Sequence, residues 1–473
     1  MKGFRHTVTA AAVALACAAG VLCVTVSGAG AAEVGVNVTA TSGNYFRSPA
    51  VIAALRASKP AWVRVFVGWQ GIEPTQGVYN TAEIADYQHF FAQLPAKTKV
   101  DVDVVGSPAW ANGGSSDPRT PPSNDADYAA FLNYLANAFH GDVNAWEIWN
   151  EEDNNGWWTG SPAQYVALLK ASYPAIKSAS PNSTVIIGGL TGNDGEYLSQ
   201  LYADGARGSF DAVGVHTDTA CNITSPYDFE YDNGTQTINR YFFLGFVSIH
   251  GAMAAAGDGA LPIYMTELGW SSTSAECTTG AWAGQKLAGV TPEQQATYLE
   301  QAYHCLAQPQ FTYVKAAMWF GLFNNGNSSA PLDNFGLLNA DYTPKPAFAA
   351  FEAESLHGDP LSGPCGDFTP PTITIRRPTS GQHAAGALHI AVSASDPGAG
   401  IHEITVYLTR HSREHFVSKK NPATFSATLT WLGAKRLHPG PHTIRIVAFD
   451  KMGNRTTAKV TFVHGTTRGR RRK

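Results

Sequence analysis

Two hydrophobic periods alternate along most of this chain. Short β-branched runs recur, each followed by a stretch whose apolar positions return every three or four residues, the spacing of an amphipathic helix. The runs are VGVNV (34–38), WVRVF (62–66), KVDVDVV (99–105), AWEIW (145–149), TVIIGG (184–189), AVGVH (212–216), IYMTE (263–267) and AAMWF (316–320). Helix starts stand between them. Ser48-Pro49, Ser161-Pro162 and Thr291-Pro292 each set a capping residue before a proline at the first helical position. Gln294, three residues after Thr291, completes a capping box. Eight such units predict a parallel sheet closed into a (β/α)8 TIM barrel over 33–360. A doubly wound sheet is the alternative, but it normally carries a Gly-rich phosphate turn after its first strand. VGVNVTATSGN supplies none.

The period changes to two beyond the proline- and glycine-rich linker at 361–371. TITIRRP, LHIAVSASD, HEITVYLT, FSATLTWL, HTIRIVAFD and AKVTFVH alternate apolar with polar between turn residues. That pattern predicts an all-β, immunoglobulin-like sandwich over 372–465, followed by a basic tail at 466–473. A chain of 473 residues is also too long for one core of ordinary size.

Charge supports the division. From Asp367 onward there are 17 Lys and Arg against 5 Asp and Glu, which leaves 16 against 32 for the preceding residues. A basic module behind an acidic barrel suggests separate partners. The basic part fits tethering to an anionic cell-wall polymer or acidic polysaccharide; simple solubility is the plainer explanation.

Lys2 and Arg5 precede an apolar stretch that ends in small residues, the layout of a secretory signal over 1–32, with cleavage near Ala31 or Ala32. The run approaches spanning length, so a membrane anchor competes; the small-residue exit favours cleavage and an extracellular protein. Cys17 and Cys23 would leave with the signal. Cys221, Cys277, Cys305 and Cys365 then read as two disulfides with three possible connectivities. Positions on the expected barrel favour Cys221–Cys277, in neighbouring loops, and Cys305–Cys365, between the helix after strand seven and the segment after the last helix. No CxxC or Cys/His cluster suggests a metal.

Chemistry in such a barrel gathers where strands end at their C-termini. Strand four ends in Asn150-Glu151 and strand seven in Glu267. Two carboxylates facing across the mouth suit glycoside hydrolysis, one protonating the leaving oxygen and one attacking the anomeric carbon or activating water. A buried ion pair is the plainer alternative for either. No GxSxG elbow or P-loop points to acyl or phosphoryl chemistry.

WEIWNEED and MTELGW resemble the acid/base and nucleophile strands of clan A of the glycoside hydrolases, closest to families 5 and 39. WVRVFVGWQGIEP, GSPAWANGG, DAVGVH and AMWFGLFNNG resemble the clan's second, third, sixth and eighth strands, and the likeness spans about 34 to 356. TPPTITI, ASDPGAGI and HTIRIVAFDKMGN resemble bacterial immunoglobulin-like modules. The resemblance implies a retaining mechanism, with Glu151 as acid/base and Glu267 as nucleophile. It sets Arg64 beside Glu267, gives Asn150 the sugar 2-hydroxyl and has Trp319 stack on a sugar. His216 would support the acid or bind a hydroxyl, or simply be a satisfied core residue.

Clan members often carry a tyrosine after that histidine. Here Thr217-Asp218 follow, which leaves the role to Tyr227 or Tyr231. Trp69, Trp110, Trp157 and Trp270, near strand ends, are candidates to line a sugar cleft, with core packing as the alternative. Glu147 shares strand parity with Glu151 and should point into the barrel, whereas Glu152, one step into the loop, should be solvated. These readings describe a secreted, monomeric β-glycosidase that acts on a β-linked glycan. They call for no cofactor, no metal and no nucleic-acid partner; a catalytically silent glycan-binding barrel is the rival.

Overall fold

The computed structural model describes residues 31–38, 47–217, 223–231, 237–275, 289–326, 330–409 and 411–465. Eight parallel strands close into a barrel: β1 (Glu33–Asn37), β2 (Trp62–Gly68), β3 (Lys99–Val105), β4 (Ala145–Ile148), β5 (Thr184–Leu190), β6 (Ala212–His216), β7 (Ile263–Leu268) and β8 (Val314–Trp319). Closure comes from β1 pairing with β8, Gly35 opposite Met318. All eight fall where the apolar runs predicted.

The expected helix starts are present with one difference. Ser161 and Thr291 form capping boxes with Gln164 and Gln294. Ser48 precedes Pro49 but its side chain caps nothing, so the proline alone marks that start. Among the described residues no helix is long and apolar enough to cross a membrane; the signal-or-anchor segment lies outside them.

Side chains leave the strands in alternation, and the two directions meet different surroundings. Val100, Val102 and Val104 face outward into the main core against the helices, beside Phe131, Leu132 and Leu135. Inward positions close the barrel floor with Trp62, Ala145, Ile186, Ala212, Tyr264, Ala316 and Met318. Each large apolar group so buried contributes roughly 1.5–3 kcal/mol. Above that floor the inward positions turn polar.

Beyond the barrel, the predicted sandwich forms from a five-stranded and a three-stranded sheet. The first sheet contains β12 (Ile401–Tyr407), β15 (Gly440–Asp450) and β16 (Arg455–His464); the second pairs β9 (Thr372–Arg377) and β14 (Thr424–Trp431) with β11 (Leu388–Ser395). Two strands escaped the alternation, β10 (His383–Ala384) and β13 (Arg413–Val417). They are the edges of the larger sheet, and β13 is mostly exposed, so neither needed an apolar face.

The expected Cys305–Cys365 disulfide is present. Cys221 and Cys277, whose pairing was also expected, lie outside the described residues. Just past Cys365, Phe368 stacks on Phe229 of the barrel, centroids 4.7 Å apart, and Lys451 of the module reaches Asp228 at 3.4 Å. The disulfide closes a separation of 60 residues. Replacing both cysteines by alanine should cost up to about 4 kcal/mol of stability, read from chemical denaturation without reductant.

Candidate active site

The site is built around Arg64, an inward position of β2 with no solvent exposure. Five acceptors receive its donors. Nε donates to Glu147 at 2.6 Å, one terminal nitrogen to Glu267 at 2.6 Å and Asn37 at 2.9 Å, and the other to Asp103 at 2.8 Å and Asn150 at 2.8 Å. Strand register explains the set: Arg64 pairs with Asn37 on β1 and Asp101 on β3, and Asp103 pairs with Glu147 on β4. Burial opposes the guanidinium charge, but Glu147, Asp103 and Glu267 hold it firmly in place, its pKa well above the usual value. Thr266 donates to the second oxygen of Glu147 at 2.9 Å, completing the support.

Glu267 reaches this network only because β7 is bulged. Tyr264 and Thr266 both face inward, so strict alternation would turn Glu267 out of the barrel. Between Met265 and Leu268, β7 advances three residues while β8 advances two, from Ala317 to Trp319. Against β6 the step from Val215 to His216 spans Met265 to Glu267. The extra residue reverses the phase, and Glu267 faces the mouth beside His216.

Glu151 is aimed differently. β4 ends at Ile148, and Trp149 and Glu151 both adopt left-handed backbone conformations, φ 66° and 46°. The parity argument linking Glu147 to Glu151 therefore fails beyond Ile148, although Glu147 does point inward. The turn delivers the Glu151 carboxyl to His216, whose Nδ1 lies 2.9 Å from Glu151 Oε1 and 3.5 Å from Glu267 Oε2. One oxygen of Glu151, one of Glu267 and a His216 nitrogen all lie within 4.8 Å of one another. The ring rests against Gly189, where any Cβ would come within 1.9 Å of Nε2. Only glycine fits there.

Burial raises the pKa of Glu151, opposed by Asn154, which donates to Oε2 at 2.9 Å, and by Arg64. It raises that of Glu267 too, against the pull of His216 and Arg64 and with help from the neighbouring Glu151. Arg64 favours the Glu267 anion, but burial and the neighbouring Glu151 offset it. Burial pushes the His216 pKa down, against the pull of Glu267 and Glu147.

Several expected residues are elsewhere. Trp69, Trp270 and Trp319 have no exposure and pack into the core, their indole N–H groups donating to Glu73, the Thr224 carbonyl and the Phe335 carbonyl. They present no ring face to a cleft. Trp110 and Trp157 remain partly exposed, the latter stacked on Phe66 at 5.5 Å. Tyr227 packs beside His304 and Tyr231 over Gly453, so neither serves Glu267.

Glu152 is buried rather than solvated: its carboxyl receives no hydrogen bond, and Gly188 leaves the space it fills. Its pKa is driven well up by burial and then by Asp153. A polar residue after a strand reads as loop, and nothing in the sequence marks this one as folded back. Sequence reasoning also missed Asn37, Asp103 and Thr266, although all are polar residues at inward positions of apolar strands, which is the signal that finds them. A cavity of 520 Å³ lined by Asn324, Asn334 and Lys345 lies aside from the carboxylates.

Removing one partner of a buried charge network typically costs 3–5 kcal/mol. Arg64→Met should show a loss on the order of that range at pH 7 in urea. Asp101, Asp103 and Glu267 already have raised folded-state pKa values, and losing the cation raises them further. Such groups destabilise the fold once pH exceeds the carboxylates' unfolded values near 4, and protonation relieves this as pH falls. The deficit should therefore shrink at pH 5.

The comparisons fit this geometry. Residues 371–446 match the model of a bacterial Ig domain. The chain is similar in structure to a family 39 glycoside hydrolase from Bacteroides cellulosilyticus WH2, with 18% identity, 84% of this chain and 79% of that chain covered, and a TM-score of 0.52. It is likewise similar to a GH39 enzyme from Xanthomonas axonopodis pv. citri, at 14% identity, 84% and 91% coverage and a TM-score of 0.51. No curated protein sequence matches. The chain thus has the fold of these clan A glycoside hydrolases, a closed eight-stranded parallel barrel, followed by a bacterial immunoglobulin-like module.

Proposed function

We propose that this protein is a secreted retaining glycoside hydrolase acting on a β-linked glycan. The observation that carries the reading is the close approach of Glu151 and Glu267, with oxygens within 4.8 Å and His216 touching both. Double displacement works with carboxyl groups about 5–5.5 Å apart, whereas inversion needs about 6.5–9.5 Å to admit a water. In this reading Glu267 attacks the anomeric carbon while Glu151 protonates the departing oxygen. Glu151 then deprotonates the water that releases the sugar.

The electrostatics suit that division. Two buried carboxyls this close resist double ionisation, so the pair keeps one proton. Arg64 bonds directly to Glu267 and not to Glu151, which biases the anion toward Glu267. Asn150 accepts from Arg64 through Oδ1, which turns its Nδ2 away from the guanidinium and toward the role of donor to a sugar hydroxyl. Trp110 and Trp157, partly exposed, are our candidates to meet a sugar face. The chemistry needs no cofactor.

Glu267→Ala should abolish turnover on every β-glycan in a substrate panel. Glu151→Gln should lose about 10²–10⁴ on substrates with poor leaving groups yet largely spare kcat/KM for an activated aryl glycoside. Both carboxyls are shifted upward, so the wild-type optimum should sit above the ordinary carboxylate range. Its alkaline limb, where the last shared proton leaves, should vanish in Glu151→Gln. NMR of the first product should show retained configuration. An inverted product removes the double-displacement reading, and full activity in Glu267→Ala removes the site. A catalytically silent glycan-binding barrel would bind the panel without turnover in any variant.

Secretion rests on the N-terminal signal pattern, and wall association on the basic module. Amino-terminal sequencing of protein from the medium should begin near Ala32 or Glu33. A wall-bound share should be released by high salt, because ionic contacts are screened within about 8 Å at physiological strength.

A further inference from the structure

A second cluster of carboxyls lies far from the barrel mouth, where the module joins the barrel. Asp367 is on the connecting segment, Asp396 follows β11, and Asp450 ends β15. One oxygen from each lies within 4.8 Å of the other two, although Asp396 and Asp450 are almost wholly buried, 2% and 1% exposed. Three like charges at that spacing repel strongly unless a shared proton or a cation between them offsets the charge.

The side chains around them do not supply it. Asp396 Oδ1 accepts from the Gly398 and Ala399 amides, at 2.9 and 3.1 Å. Asp367 takes the Thr369 amide at 2.9 Å and the Ala399 amide at 2.6 Å, and Asp450 takes the amide and side chain of Asn454. All these donors are neutral. Lys451, next in sequence, points instead to Asp228 of the barrel. Asp396 Oδ2 is fully buried and receives no hydrogen bond at all. An orphaned carboxylate oxygen inside an acidic cluster is what a cation would occupy, since a buried charge needs a partner.

We propose that Asp367, Asp396 and Asp450 form a calcium site at the junction of barrel and module. The donor set decides the metal. It offers hard oxygen only, with no sulfur or imidazole, from the connecting segment and the ends of β11 and β15. That suits Ca²⁺, which takes six to eight oxygens in flexible geometry, better than Mg²⁺, which demands a tight octahedron. Three carboxyls supply part of the shell, leaving places for carbonyls and water.

The site has a mechanical consequence. The ion would tie the connecting segment to two strand ends of the sandwich. Asn454, beside the site, also donates to the Asp367 carbonyl, and Gly453 packs under Tyr231 of the barrel. Calcium would therefore set how firmly the module is seated.

The test uses the full chain, stripped with EDTA, with CaCl2 and MgCl2 as probes. Isothermal titration should show one calcium site with Kd on the order of 10⁻⁴–10⁻³ M, the range of extracellular modules, and weaker binding of magnesium. Calcium should raise the thermal midpoint of the module and slow proteolysis between 361 and 371. Asp396→Asn should weaken calcium binding at least tenfold. In EDTA it should melt no lower than wild type, because it removes a repelling charge. Should that variant fail to fold, Asp367→Asn on the linker gives the same readout. No calcium binding up to about 10 mM, or unchanged affinity in the folded variant, overturns the proposal.

Discussion

One buried guanidinium organises the upper half of the barrel. Arg64 has no contact with solvent, and it binds Glu147, Asp103, Glu267, Asn37 and Asn150 from four strands and their ends. A lone cation in that position would cost several kcal/mol, and so would each carboxylate without it. The barrel tolerates the group only as a unit. That mutual dependence fixes where Glu267 stands, how Asn150 is turned and how β2, β3 and β4 align above the apolar floor.

The same unit sets the electrostatics of the acids around it. Asp101 and Asp103, together with Glu147 and Glu267, all act on one arginine, which cannot neutralise them all. Burial comes first among the causes, and it lifts the pKa of Asp101 and Asp103 well above their ordinary values. Asp101 receives no hydrogen bond at either oxygen, so nothing there offsets its burial. Glu152 is a second such group behind Glu151, and Asp153 beside it is pushed up to about 7 by burial. A general acid working near neutrality is favoured by such a surrounding, because each extra negative charge is expensive there.

Indole-rich loops suggested a sugar cleft wall, yet their physical role divides. Trp149 and Trp158 pack edge to face at 4.9 Å inside the core, and Trp69 packs among Trp110, Tyr128 and Phe131. These rings brace the turns that carry Glu151.

The sequence by itself determined the eight strands, the closed parallel barrel and the sandwich, and it set Glu151 and Glu267 at strand ends. Those follow from local periods and from the rule that barrel chemistry sits at strand ends, which need no knowledge of long-range contacts. Glu147 was also legible, as a charged residue on the inward phase of an apolar strand, whereas Arg64 came only from the resemblance to clan A. Only the tertiary structure decided the rest. An extra residue in β7 turns Glu267 inward, left-handed turns at Trp149 and Glu151 aim the acid, and a space left by Gly188 buries Glu152. The fate of each tryptophan depended likewise on what its neighbours left open. Phase reversals and backbone turns are set by contacts between segments far apart in the chain, so no window of sequence contains them.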